Sequence, residues 1–126
     1  MVSIPKMEEG KLDAQFLAAF IWQGKRDDAS SQKAVESTTR LIQSIYDEVE
    51  QYKDFCGIAL TEEDLIRLKR EGKKAFIGIE NGYAIGKDLK NIAKYKQMGV
   101  NYITLCHSYD NDICIHPLTR KMRPKD

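Results

Sequence analysis

Two short apolar runs, Lys74-Ala-Phe-Ile-Gly-Ile-Glu80 and Val100-Asn-Tyr-Ile-Thr-Leu-Cys106, flank one stretch of helical character, residues 87–97. A helix between two short strands returns the chain to the end where the first strand began. The two strands are therefore expected to run parallel, joined by a right-handed crossover. In parallel α/β structures the carboxyl ends of the strands are where active sites gather. Glu80 closes the first run and His107 follows the second, so both residues are expected at one pole of the sheet. By strand spacing they would be about 5 Å apart.

The remaining segments fit an α/β reading. Residues 1–10 are expected to be irregular, with Pro5 and Gly10 as breakers. The run Leu12 to Trp22 is dense in aromatic and aliphatic groups and suits a buried strand, although its periodicity is also compatible with a helix. From about 30 to 52 the apolar positions Ala34, Val35, Leu41, Ile42, Ile45, Tyr46, Val49 and Tyr52 recur at spacings of three and four, which predicts a long amphipathic helix. Residues 55–60 read as a short extended piece. Thr61-Glu-Glu-Asp64 then reads as a helix start, with the Thr oxygen accepting an orphan amide. That helix buries Leu65, Ile66 and Leu68, and Gly72 stops it. The 87–97 helix is expected to bury Leu89, Ile92 and Ala93, with Met98 at its end, and Gly99 terminates it. About three parallel strands with flanking helices result, in a domain over 1–114, followed by an irregular basic tail over 115–126.

Composition removes several function classes. The 126 residues make at most one domain. With 20 basic against 19 acidic residues the net charge is +1, which gives no electrostatic reason to expect nucleic acid as a partner. No apolar run reaches the ~18 residues of a membrane span. The start, Met1 to Lys6, lacks the apolar core of a secretory signal. Cys56, Cys106 and Cys114 have no disulfide-framework spacing. Reduced thiols in a cytoplasmic setting are the default expectation.

Glu80 and His107 are the leading candidates for chemistry. A carboxylate at the end of an apolar strand is costly to bury unless a positive group such as a metal ion compensates it. The competing reading is a turn carboxylate held by backbone amides. For His107 it is a strand-end histidine bonded to a carbonyl. Cys106, His107, Cys114 and His116 could also be read as four zinc ligands, but their spacing matches none of the usual paired patterns. Adjacent strand residues point to opposite faces, which argues against Cys106 and His107 sharing an ion or forming a nucleophilic pair.

In order along the chain, several pieces resemble the zinc-dependent membrane (renal) dipeptidase family over roughly residues 4–114. They are Pro5 to Gly10, Ala14-Gln-Phe-x-Ala-Ala-Phe20, Gly78-Ile-Glu80-x-Gly82, Leu89, Met98-Gly-Val-Asn-Tyr-Ile-Thr-Leu105, His107 and Asn111-Asp112. The resemblance implies a (β/α)8 barrel of the metal-dependent hydrolase type, here present in part, with two zinc ions at the strand ends. It makes Glu80 the metal-bridging ligand and His107 the catalytic and substrate-binding contact for a dipeptide. A hydroxide held by the metals would attack the peptide carbonyl. The histidine would stabilise charge developing on that oxygen.

The departures are specific. The family's His-x-Asp metal motif occurs nowhere, only His116 follows His107, and the family pattern stops near Ile115. Asn81 stands in place of a usual glycine and Cys106 in place of a usual threonine. A (β/α)8 barrel takes about 250 residues. A zinc metallodipeptidase fragment, incomplete in its metal ligands and inactive alone, is therefore the expected function. The alternative is a catalytically silent α/β module that forms homo-oligomers through open sheet edges.

Overall fold

The computed structural model describes residues 3–74 and 78–115. Its elements in chain order are α1 (Ile4–Glu9), β1 (Ala18–Phe20), α2 (Asp28–Gln51), α3 (Glu62–Arg70), β2 (Gly78–Glu80), a 3-10 helix (Gly82–Ile85) and α4 (Lys90–Gln97). β1 and β2 pair in parallel, with Ala18 opposite Gly78, Ala19 opposite Ile79 and Phe20 opposite Glu80. The helices α2 and α3 supply the crossover between them, so the βαβ unit among the described residues joins β1 to β2 rather than the 74–80 and 100–106 runs expected from the sequence.

The helix ends follow local chemistry. Asp27 caps α2 by accepting the Ser30 amide at 2.7 Å. Thr61 caps α3 by accepting the Asp64 amide at 3.2 Å, and the Asp64 carboxylate reaches back to the Leu60 amide at 3.1 Å. Each cap satisfies a donor that the helix itself cannot. Arg67 first, then the Leu60 amide, holds the Asp64 carboxyl below its ordinary value. The stops at Gly72 (φ 71°) and Gly99 (φ 88°) lie in the left-handed region where a Cβ is disfavoured.

The core lies where α2 and the 3-10 helix pack on the two strands. It gathers Ala19, Ile21, Ala34, Ile42, Tyr83, Ala84, Tyr95 and Val100. Tyr95 is fully buried. Its hydroxyl donates to the Ala84 carbonyl at 2.7 Å, and burial pushes its pKa up to about 12. A second cluster, Ala59 and Leu68 with Ala14, sits under α3. Lys74, also buried, pairs with Glu8 at 2.8 Å and donates to the Met7 carbonyl, tying α1 to the start of the β2 segment.

Four expectations need correction. Residues 4–9 are helical rather than irregular, because a proline in the first turn lacks only an N–H that would have no helical partner. The Leu12–Trp22 run forms a strand only at 18–20, the length over which β2 is its partner. Of 74–80, Lys74 bridges Cys56, residues 78–80 form β2, and 75–77 lie outside the described residues. Of 100–106, only Ile103 makes a sheet bridge among the described residues. Beside it, the Asn81 amide donates to the Thr104 hydroxyl at 2.7 Å, a side-chain bond where a ladder would use a carbonyl.

The buried face of α4 also differs. Leu89 is 73% exposed, and Ile92 and Ala93 are exposed as well. The inward stripe is Asn91, Tyr95 and Met98, at spacings of four and three. Asn91 donates to the Ile85 carbonyl at 2.9 Å as Tyr95 does to Ala84, so hydrogen-bond demand from the 3-10 helix selects the face. Within α2 the expected stripe holds for Ala34 and Ile42, with the fully buried Thr38 between those two on the inner face, whereas Leu41 and the C-cap Tyr52 are exposed.

Candidate functional site

The parallel register sets the site. β1 and β2 end side by side at Phe20 and Glu80, which puts Glu80 at the carboxyl pole. The His107 ring packs on Phe20 with centroids 5.0 Å apart, and its Nδ1 lies 2.8 Å from the Ser108 hydroxyl oxygen. Phe20 thus stands next to both predicted residues: opposite Glu80 in register and against the ring of His107. Trp22 extends the aromatic surface, edge-on to Phe20 at 5.1 Å and 77% exposed. His107 is itself exposed.

A set of buried amides holds this pole. Asn81 is 1% exposed and adopts φ 81°, which an Asn tolerates better than most residues because its short amide can bond locally. Its side-chain oxygen accepts from the Tyr83 amide at 3.2 Å and from the Asn111 side chain at 3.3 Å. Its side-chain nitrogen donates to the Ile21 carbonyl at 3.4 Å. Asn111, also buried, donates to the Leu105 carbonyl at 2.7 Å and accepts from the amides of Ile113 and Cys114. One network therefore binds the ends of β1 and β2 to the loop carrying His107. Gly82 belongs to it sterically, because a Cβ there would stand 2.6 Å from the Leu105 carbonyl oxygen.

Tyr83 extends the same frame by donating its hydroxyl to the Lys25 carbonyl at 2.6 Å, and burial raises its pKa. Arg26 pairs with Asp112 across the rim, its Nε 2.6 Å from the carboxylate. Both groups are partly exposed, so their pairing orients the rim more than it stabilises the fold. Beside it an open depression of about 690 Å³ is lined by Arg26, Ile85, Gly86, Lys87, Leu89, Asp112 and Ile113. Asp112 belongs to both the rim pair and this depression.

The metal expectation meets a limit. Among the described residues no three His, Cys, Asp or Glu groups converge as a metal site requires. The described residues do not by themselves fit a two-zinc centre. The four-ligand Cys/His alternative fares no better: His116 lies outside the described residues, and Cys106 and Cys114 face each other, sulfur to sulfur at 3.5 Å. Apart from that alternative, no reading of the sequence paired these two cysteines; they meet because the segment bends after residue 104 instead of continuing as a strand. The amide network was missed too. Its only sequence signals were Asn81-Gly82, read as a turn, and Asn111-Asp112, present in the resemblance.

Comparison with known proteins identifies the family. A model of the membrane dipeptidase family, peptidase family M19, matches residues 1–121. Dipeptidase ataJ of Aspergillus terreus is 28% identical over 116 residues, 88% of this chain and 28% of that protein. Dipeptidase tcpJ of Claviceps purpurea is 26% identical, covering 87% of this chain and 27% of its own length. The crystal structure of the probable dipeptidase PvdM from Pseudomonas aeruginosa superposes with a TM-score of 0.71 at 27% identity, over 81% of this chain and 27% of that one. An amidohydrolase from the same organism shares the fold at a TM-score of 0.74 and 20% identity, over 86% of this chain and 31% of that one. The chain therefore spans somewhat more than a quarter of the length of the curated relatives it matches.

Proposed function

From the premise that the chain belongs to the membrane dipeptidase family, we propose that residues 1–114 form part of a dipeptidase (β/α)8 barrel; the tail expected over 115–126 lies, but for Ile115, outside the described residues. In this reading Glu80 is a zinc ligand and His107 meets the dipeptide. The imidazole would donate to the carbonyl oxygen on which negative charge develops, with its ring held against Phe20. The observation that carries the reading is the register Phe20–Glu80 with the His107 ring packed on Phe20. It is the placement expected for a strand-end site.

The same reading makes the isolated chain inactive. One carboxylate and one histidine cannot hold two zinc ions tightly, and the described residues bring no third ligand to them. A homo-oligomer is the further element of the proposal. The alternative, a catalytically silent module that associates through its sheet edges, is favoured by the exposure of Trp22, Phe55 and Leu89.

The test combines metal, activity and mass. The purified chain is incubated with two equivalents of zinc, passed through a desalting column, and measured for bound zinc and for dipeptide hydrolysis. Sedimentation at several concentrations reports its association. Expected are less than one zinc retained per chain, no hydrolysis above a zinc blank, and a concentration-dependent dimer. Zinc-dependent turnover that both Glu80→Gln and His107→Ala abolish would show a complete site and overturn the claim of inactivity. Turnover indifferent to both substitutions would remove Glu80 and His107 from the site.

A further inference from the structure

The Cys106–Cys114 contact is unused by the dipeptidase reading and rests on a built frame. The two sulfurs are 3.5 Å apart and the residues eight positions apart in sequence, in a segment free of helix and ladder. Asn111 sets both ends. Its side-chain amide donates to the carbonyl of Leu105, the residue before Cys106. Its side-chain oxygen accepts the Cys114 amide at 3.0 Å, while its own amide donates to the Cys114 carbonyl at 3.1 Å. One buried residue therefore fixes the backbone at both cysteines and brings the thiols together without a covalent bond.

We propose that Cys106 and Cys114 are a redox-modifiable dithiol that closes the loop carrying His107 as an intramolecular disulfide. The oxidant is a low-molecular-weight disulfide of the glutathione class. One cysteine, as thiolate, attacks the oxidant to form a mixed disulfide and expels one thiol. The second cysteine loses its proton, attacks the protein sulfur of that mixed disulfide and expels the second thiol. Two protein thiols are oxidised to one S–S bond while one small disulfide is reduced to two thiols. The sulfurs must approach to about 2.05 Å, a movement of roughly 1.5 Å. Burial, then the neighbouring Cys114, raises the Cys106 thiol above its ordinary value, which makes the couple close faster as pH climbs. Cys56 is outside the pair. It is buried, with its Sγ against the carbonyls of Tyr52 and Val49.

The test equilibrates the full chain with mixtures of oxidised and reduced glutathione, quenches with acid, and maps the products by mass spectrometry. The expected product is a monomer lighter by two hydrogens, with the peptides of Cys106 and Cys114 joined and Cys56 free. Its effective concentration is expected on the order of 10 mM or more, the range for a short intramolecular link. Cys106→Ser and Cys114→Ser should each convert this product to a glutathione adduct on the remaining thiol. Asn111→Ala should lower the effective concentration at least about tenfold, with a thermal melt checking that the variant is folded. Stable glutathione adducts on both cysteines of the unmodified sequence, disulfide-linked dimers, or pairing with Cys56 would each overturn the proposal. So would closure at the same effective concentration in a folded Asn111→Ala variant.

Discussion

Replacing Asn81 tests whether the amide network, rather than the two short strands, fixes the pole of the sheet. Asn81→Ala removes three side-chain hydrogen bonds: from the Tyr83 amide, from the Asn111 side chain and to the Ile21 carbonyl. The Tyr83 amide is buried and loses its acceptor, at about 1–3 kcal/mol. Asn111 keeps its bond to Leu105, and the Ile21 contact is long, so these two losses are smaller. Alanine also retains a Cβ at φ 81° without the local amide that helps asparagine tolerate it. Together the loss is about 2–4 kcal/mol. Asn81→Gly loses the same bonds but relieves the backbone, and after glycine's own entropic cost it should be roughly 1 kcal/mol more stable than the alanine variant. Urea unfolding followed by circular dichroism reads both, with the alanine midpoint expected about 1–2 M below the parent at an unchanged slope. An alanine variant within about 0.5 kcal/mol of the parent would refute the network as the fixing element. A glycine variant less stable than the alanine variant would refute the backbone argument.

Two further measurements probe the scaffold. Tyr95 has its folded pKa raised to about 12 by burial, so the stability it contributes is fully present below its unfolded value near 10 and is lost as pH rises toward 12. Unfolding measured at pH 9, 10 and 11 should show that decline, and Tyr95→Phe should flatten it while costing about 1–2 kcal/mol at neutral pH through the stranded Ala84 carbonyl. Thr61→Ala should destabilise by about 1 kcal/mol through loss of the α3 cap, with Thr61→Ser close to the parent in the same melt.

Local signals were legible along the chain and tertiary ones were not. Thr61 as a cap, Gly72 and Gly99 as stops, and the α2 stripe through Ala34 and Ile42 all rest on interactions within a few residues, whereas the Asp27 cap of α2 was not read. The face of α4 does not. Leu89, Ile92 and Ala93 have a helical spacing as regular as that of Asn91, Tyr95 and Met98, and only the carbonyls left open by the 3-10 helix decide which stripe turns inward. Strand lengths fail for a related reason: a strand extends only as far as its neighbour does, and that neighbour is not encoded in its own residues. For the site, the strand-end position of Glu80 was readable, because an apolar run followed by a turn signal marks it in the chain itself. Asn81 and Asn111 were not, because buried amides leave no periodic mark and acquire their partners only on folding.

The division of labour at this pole follows from the same facts. A three-residue parallel pair contributes few backbone bonds and could slip in register, moving Glu80 relative to Phe20. Asn81 opposes such a slip, since it bonds the Ile21 carbonyl beyond β1 and the Thr104 hydroxyl beyond β2 at once. A one-residue shift would break both contacts and leave buried amides without partners, a penalty larger than the few ladder bonds it rearranges. Positioning of Glu80 is therefore separable from metal binding. The side chains that hold the geometry are neutral amides and a hydroxyl, none of which competes for zinc, so the pole is expected to keep its shape in zinc-free protein. A metal-dependent change in the melting of the parent that Asn81→Ala leaves intact would contradict that separation.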